Sequence, residues 1–463
     1  MRCPNVARTT SSSARRIPHL AAVAGVALVA TAAAAMPAVG GLTQPPGRAG
    51  CVSEDGSGPC VDGHGLTGGV DAVAVSLDGK SVYATTHAGV ARLKRNHESG
   101  AITQPAGKSG CVSETGSGGC ADGHGISNAG ADSVAVSPDG RDVYAASYTS
   151  SSVIRFKRNR QTGAIAQPAG KAGCVSDDGS GPCADGHALR GVAWVAVSAD
   201  GRSVYAVSTI ANAVVRFKRD KHTGAITQPA GKGGCVSDDG SGPCADGHAL
   251  LDPVWVAPSP DGKSVYVASL KSNAVARFAR NPDTGALHQS AGKAGCVSEG
   301  GAGACSFGHG LSGPFSLAVA RRSVYVASSG SNALVRLRRD VKSGAVSQPA
   351  GRAGCVSEDG SGRCADGHAL AGANAVALSA DGKSVYVTSA KSLVRFRRDT
   401  ATGAVAEPPG AAGCVSDDGS GPCGDGHALA GAYETTVSAD GRSVYVASLD
   451  DAAIVRLNRQ VPR

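Results

Sequence analysis

The chain has 463 residues, 18% of them charged and 4% aromatic, with 66 glycines, 15 cysteines and a formal net charge of +8. Four of its arginines, Arg2, Arg8, Arg15 and Arg16, sit in the first sixteen residues, and without them the balance falls to +4. A surplus that small excludes nucleic-acid binding driven by bulk charge.

Those arginines precede an uncharged apolar stretch from about Leu20 to Ala35, followed by small residues in which Ala33-x-Ala35 and Ala38-x-Gly40 both suit signal-peptidase cleavage. The stretch is shorter than the roughly 20 residues that span a bilayer and is rich in alanine. Residues 1–40 therefore read as an export signal, by the general or the twin-arginine route, and residues 41–463 as one secreted, extracytoplasmic domain. No second apolar stretch supplies a transmembrane anchor.

From Gly41 onward a unit of about sixty residues recurs seven times, the signature of stacked supersecondary units. Each copy carries Cys-x(8)-Cys, then Gly-His, then Asp-Gly in a hairpin ending in Val-Tyr, with the Asp-Gly missing from one copy. Cys3 leaves with the signal, and the rest pair as Cys51/Cys60, Cys111/Cys120, Cys174/Cys183, Cys235/Cys244, Cys296/Cys305, Cys355/Cys364 and Cys414/Cys423. Identical spacing in a secreted chain predicts local disulfides, whose role is to hold long connections still. Structural zinc needs a tighter Cys-x(2–4)-Cys hook, so no zinc or other cofactor is expected, with structural calcium or another metal left open.

The copy from Trp194 to Gln228 shows four strands. Strand A is the apolar run Trp194–Val197, and Asp200-Gly201 supplies a hairpin turn into strand B, Ser203–Val207. Strand C is Ala213–Arg219, and Thr223-Gly224 leads into strand D, Ala225–Gln228. Alternation places Arg216 and Lys218 together on a solvated face of strand C. Four-stranded sheets repeated around an axis make an all-β, seven-bladed β-propeller. The mature chain opens with Gly41–Gln44, which matches strand D, and ends with Tyr433–Asn458, which supplies only strands A, B and C. The N-terminal strand is expected to complete the last blade and to hide both sheet edges.

The segments Pro260-Asp261-Gly262 followed by Ser264–Ser269, and Asp381-Gly382 followed by Tyr386–Ser389, resemble the blade signature of the YVTN and lactonase-like propeller families. The resemblance spans nearly the whole mature chain and rests on strands and turns. It implies a propeller and, in some relatives, hydrolysis or cyclisation of lactones and related acids. The Cys-loop inserted in every blade departs from that pattern.

Residues present in all copies serve the copy, and a unique site has to break the symmetry. Seven histidines follow glycine at one offset (His187 is typical) and read as loop braces; the Asp-Asp-Gly-Ser-Gly runs read as turns. The aromatics outside the repeat are Tyr148, Trp194, Trp255, Phe307, Phe315 and Tyr433. All fall in D-to-A connections, B-to-C turns or the start of strand A, which share one face at the mouth of the central channel. Asp71, Asp132, Asn374 and Glu434 align near the same mouth, with His87, Lys271 and Lys391 in the B-to-C turns. Such a grouping fits either a ligand pocket or unconstrained loop variation. The candidate ligand-binding residues are Trp194, Trp255, Phe315, Asn374, Tyr433, Tyr148, Lys271 and Lys391. The candidate catalytic residues are Asp71, Asp132, Glu434 and His87. The sequence thus predicts a monomeric binding or scaffold module for a small molecule, glycan or protein at the cell surface, or alternatively a lactonase-like hydrolase acting at that face.

Overall fold

The computed structural model describes residues 40–127, 130–179 and 181–461. The export segment expected before residue 40 lies outside them. Among the described residues no helix is long and apolar enough to cross a membrane.

The chain forms seven sheets of six strands each around a central axis. In the third blade, strand A is Val192–Val197, strand B Ser203–Ser208 and strand C Ala213–Arg219, joined as antiparallel neighbours. Strand A lines the channel in every blade, and strands A of adjacent blades touch all round the ring, the seventh against the first.

The expected four-stranded blade needs correction at its outer edge. Strand D is only Ile226–Thr227, paired with the C-terminal end of strand C. Pro229 follows almost at once and has no N–H to offer a ladder, so the strand stops. After a short 3-10 turn the chain pairs again with the other end of strand C, through Cys235–Ser237. A parallel two-residue strand, Ala245–Asp246, lies outside that.

All seven expected disulfides form: Cys51–Cys60, Cys111–Cys120, Cys174–Cys183, Cys235–Cys244, Cys296–Cys305, Cys355–Cys364 and Cys414–Cys423. Their place differs from the expectation of a connection inserted between strands. The first cysteine of each pair opens a strand of the sheet, and the second, at Cys60, Cys120, Cys183, Cys244, Cys305, Cys364 and Cys423, stands in the turn just before the outermost strand. Because that strand pairs backwards with strand C, each bridge completes the blade before its own hairpin, and a copy as delimited in the sequence straddles two blades. Cys60 accordingly packs with Val446 and Val455 in the core of the seventh blade, Cys305 with Ala274 in the fourth, and Cys364 with Val335 in the fifth. Cys423 lies against the core of the sixth and is the one bridged cysteine that is only partly buried. Each bridge closes a short loop, worth about 2–3 kcal/mol in the chain-entropy account.

Closure follows the expectation. Leu42–Thr43 pairs with Asn458–Arg459, and Cys51–Ser53 pairs with Ala453–Val455, so the N-terminal segment supplies the whole outer edge of the seventh blade.

Adjacent blades are latched by one recurring network. Tyr205 on strand B is fully buried, and its hydroxyl donates to the Gly285 carbonyl of the next blade at 2.7 Å. The Arg280 guanidinium of that next blade donates back to the Tyr205 hydroxyl and to Asp200 in the Asp-Gly turn, at 2.7 and 2.8 Å. The same bonds recur at Tyr83 with Arg158 and at Tyr445 with Arg95. Buried hydroxyl and guanidinium groups are thus paired, which their burial demands.

Strand C differs from its expected alternation at one residue. Lys218 is exposed, but Arg216 is 4% exposed. It donates to the carbonyls of Gly233 and Thr284 and is wedged between blades, because its long stem packs where a short side chain would leave a void.

The histidine loops are braced through their backbone. Gln228 accepts from the His187 N–H at 2.8 Å and donates to the His187 carbonyl at 2.9 Å, and glutamines of five other repeats do the same. In the remaining repeat the brace is Glu407, beside His368. The acid after each first cysteine caps a turn; Asp177, for example, accepts from the Leu189 N–H at 2.6 Å. This is turn chemistry, as the composition suggested.

Candidate functional site

At the start of strand A the ladder to strand B slips by one residue in five blades, for instance between Val70 and Ala72 in the first and between Ala432 and Glu434 in the seventh. A bulge leaves one residue unpaired and re-aims its side chain. The repeat alignment places Asp71, Asp132, Ala193, Val254, Phe315, Asn374 and Tyr433 at this position of blades one to seven. All are partly buried, and no two neighbouring blades repeat a residue except at the two aspartates.

Blades seven, one and two bring Tyr433, Asp71 and Asp132 together. Burial pushes the Asp71 carboxyl up to about 8, and the neighbouring Asp132 carboxylate adds to the rise. Asp71 Oδ2 is buried with no hydrogen-bond partner, and Oδ1 lies 3.8 Å from His87 Nε2 in the adjoining B-to-C turn. Burial raises Asp132 to about 6; the rise is smaller because the Tyr148 N–H donates to its Oδ2 at 2.6 Å. Burial and then the negative charge of both aspartates hold the Tyr433 hydroxyl in its neutral form. Among the described residues no third His, Cys, Asp or Glu completes a metal-ligating cluster with the pair.

The other candidates sort differently. Phe315 packs edge-on against Tyr433 with ring centroids 5.5 Å apart, and Asn374 completes the ring between them. Trp194 and Trp255 stack on each other at 3.4 Å, so the aromatic wall is partly spent on itself. Tyr148 is exposed and reaches the site through its backbone N–H. Phe307 is corrected outright: it lies exposed in the outermost strand Ser306–Gly308, two residues after Cys305, with the Arg363 guanidinium 5.8 Å over its ring. Lys271 pairs with Asp252 at 3.4 Å, and the Lys391 carbonyl accepts from the Asp417 N–H of a Cys-loop.

Glu434 meets neither His87 nor an aspartate in any hydrogen bond or ion pair. It sits one residue beyond the bulge, buried, and accepts from the Val73 N–H across the closing seam at 2.5 Å. Burial raises it to about 8. Ser133 and Ser316 occupy the same repeat position and accept from Val195 and Val376 of the next blade. Sequence reading missed this seam brace, although the signal was present as a polar residue four before the Ser of the Asp-Gly turn.

Comparison with solved structures agrees with this architecture. The periplasmic gluconolactonase of Pseudomonas aeruginosa is 19% identical over 80% of this chain and 93% of that one, with a TM-score of 0.50. A candidate 6-phosphogluconolactonase from Bacteroides uniformis is 15% identical over 73% of this chain and 83% of that one, also with a TM-score of 0.50. The fold is shared with these two lactonase-named structures. At these identities the likeness concerns the fold alone, and the propeller's site has to be argued from its own residues. No family model matches the chain, and no curated protein matches it.

Proposed function

We propose that this propeller hydrolyses a lactone at the channel mouth, with Asp132 as general base and Asp71 as general acid. The observation that supports this reading best is a pair of neighbouring, partly buried carboxyls whose environments set them apart, at about 8 and about 6. Between those values one group is protonated and the other ionised, which is the division of labour that hydrolysis of a cyclic ester needs. Asp132 takes a proton from water as the water oxygen attacks the lactone carbonyl carbon. The ring C–O bond then breaks, and Asp71 gives its proton to the departing alkoxide. A proton passed from Asp132 back to Asp71 restores the pair, and the product is the open hydroxy acid. His87 and the neutral Tyr433 hydroxyl flank Asp71 and position the ring. The two lactonase-named structures point to sugar lactones as the first substrates to try. The seven disulfides fit an extracytoplasmic protein.

A module that only binds there predicts saturation without turnover. The hydrolase reading is preferred because the aromatic residues offered as a binding wall mostly contact one another, whereas Asp71 keeps an unpartnered oxygen. The test is hydrolysis of glucono-δ-lactone followed by acid release. Asp132→Asn is expected to lower kcat by about 10²–10⁴-fold with an unchanged circular-dichroism spectrum. Rate should require Asp132 ionised and Asp71 protonated, giving a bell with limits near 6 and 8 that belong to the pair jointly. No hydrolysis of any sugar lactone, or a full rate in Asp132→Asn, would refute the proposal.

A further inference from the structure

The small net charge hides a separation by face. The A-to-B turns, the C-terminal ends of strand C and the C-to-D turns all open opposite the channel-mouth site. Together they hold 23 Lys and Arg against 12 Asp and Glu, while the other described residues hold 17 against 25. Six of those twelve acids are the turn aspartates, and each is paired with a buried arginine of the following blade, as Asp78 is with Arg158 at 2.9 Å. Asp142 is likewise paired inside a seam. Apart from the latch arginines and these paired acids, sixteen exposed basic side chains on this face stand against five exposed acids.

The basic residues are laid out regularly. Register pairs Ser81 with Lys94, and the Arg95 N–H donates to the Lys80 carbonyl, so Lys80 of the turn and Lys94 of strand C are diagonal neighbours at the same end of the hairpin. Four more blades repeat the doublet, as in Lys383 with Arg397, and blades four and seven keep only Lys263 and Arg442. Of the exposed large apolar side chains, only Leu77 lies on this face. It therefore lacks the apolar centre on which protein partners pack or membranes are anchored.

One seam adds a vacant position for an anion. The fifth blade lacks the Asp-Gly of its turn, reading Ala320-Arg321-Arg322-Ser323. Arg398 of the sixth blade still donates to the Tyr325 hydroxyl at 2.6 Å and to the Gly382 carbonyl at 2.8 Å. Among the described residues it is the one latch arginine of the seven with no carboxylate in ion-pair range. A separate cleft of about 520 Å³, lined by Lys383, Arg395, Arg397, Arg398, Arg459 and Asp399, opens on the sixth blade toward its seam with the seventh, and no residue of the fifth blade lines it.

We infer that this face docks a linear phosphate polymer along its ring of basic doublets, with one phosphate taking the place of the missing carboxylate at Arg398. Evenly repeated single charges on long side chains match a repeating polyanion, and guanidinium groups match phosphate oxygens. The probe is long-chain inorganic polyphosphate, titrated calorimetrically into the full protein. Affinity is expected to fall at least about tenfold between 50 and 200 mM salt, through counterion release. Charge reversal at exposed Lys80, Lys94, Lys383 and Arg397 together should lower affinity more than tenfold with an unchanged Tm. Reversal at Lys171 and Lys232, outside this face, should change little. Inserting Asp-Gly between Arg321 and Arg322 rebuilds the turn of the other six blades, so the fold is kept and binding should weaken several-fold. Unchanged binding in the four-site variant or in the insertion variant would overturn the proposal. So would tighter binding of heparin or of anionic lipid vesicles than of polyphosphate. Salt-sensitive self-association without polymer would assign the face to the acidic pole of a second copy and overturn it as well.

Discussion

The blade seams and the channel-mouth ends of strand A occupy seven equivalent places each, yet the seams are nearly uniform and the strand ends nearly all different. Uniformity at a seam follows from burial: a hydroxyl and a guanidinium taken out of water leave few arrangements that satisfy every donor. The residues at these strand ends are only partly buried, and in five blades they are skipped by the ladder, so the blade does not dictate their side chains. Where two adjacent blades carry aspartate there, burial raises both carboxyls and the Asp132 charge raises Asp71 further. Acidic and aromatic side chains are tolerated there because the latches hold the blades independently.

The sharpest way to break this contrast is at the most heavily charged seam. Arg219 is buried and binds Asp139 and Asp142 at 2.9 and 2.6 Å, besides the Tyr144 hydroxyl. Arg219→Met strips one cation from two carboxylates, one of them fully buried, and is expected to cost about 3–5 kcal/mol of stability in urea unfolding. Arg398→Met removes a cation that has no carboxylate partner, and should cost clearly less. Lactone hydrolysis at 25 °C by the folded fraction should survive both. Equal losses at the two seams would show that the hydroxyl bonds, and not the ion pairs, carry the latch.

The contrast also explains how much was legible in advance. Blade number, disulfide pairing and ring closure were readable because each is stated many times, as in Cys235 with Cys244, or by a phase shift, as in Leu42–Thr43. The outer edge was misjudged because Pro229 splits strand D only after the chain has begun to pair. The same split hid which blade a bridge serves: spacing joins Cys51 to Cys60, but only pairing with Ala453–Val455 puts both in the seventh blade. Arg216 was misplaced because alternation along strand C says which face a side chain takes but not that a neighbouring blade covers that face. Asp71 and Asp132 were legible as departures from the repeat, whereas Glu434 shared that signature and turned out to brace a seam. Departure from a repeat marks a position freed from the common role; only packing tells whether a new role is chemical or structural.

A smaller effect is expected at Glu407, the one brace that is not glutamine. A glutamine here both accepts from the histidine N–H and donates to two carbonyls, as Gln348 does at 2.8 and 3.1 Å. Glu407 accepts from the His368 N–H but can donate only when protonated, and burial, with Glu358 and Asp366 nearby, raises it to about 8. Because the folded value lies above the usual 4.5, its stabilising contribution is complete at low pH and is lost as pH rises through about 8. Glu407→Gln should therefore stabilise by about 0.5–2 kcal/mol, more at pH 9 than at pH 5. An equal gain at both pH values would mean that the carboxyl is ionised throughout.

The smallest expected effect separates backbone strain from packing in the same loops. After the braced histidine three repeats have glycine, such as Gly65 at φ +68°, and four have alanine in the same left-handed conformation, such as Ala188 at φ +58°. A side chain there costs about 1–2 kcal/mol in the folded state, partly offset because alanine restricts the unfolded chain. A Cβ on Gly65 would lie 3.0 Å from the sulfur of Cys120, so the position is crowded as well as left-handed. Ala188→Gly is thus expected to raise stability by up to about 1 kcal/mol, and Gly65→Ala to lower it by at least as much. Melting curves of the two variants decide the point. If Ala188→Gly destabilises, the methyl groups at these four positions contribute packing against the adjacent disulfides that outweighs the strain, and the loops are held by contact as much as by their glutamine braces.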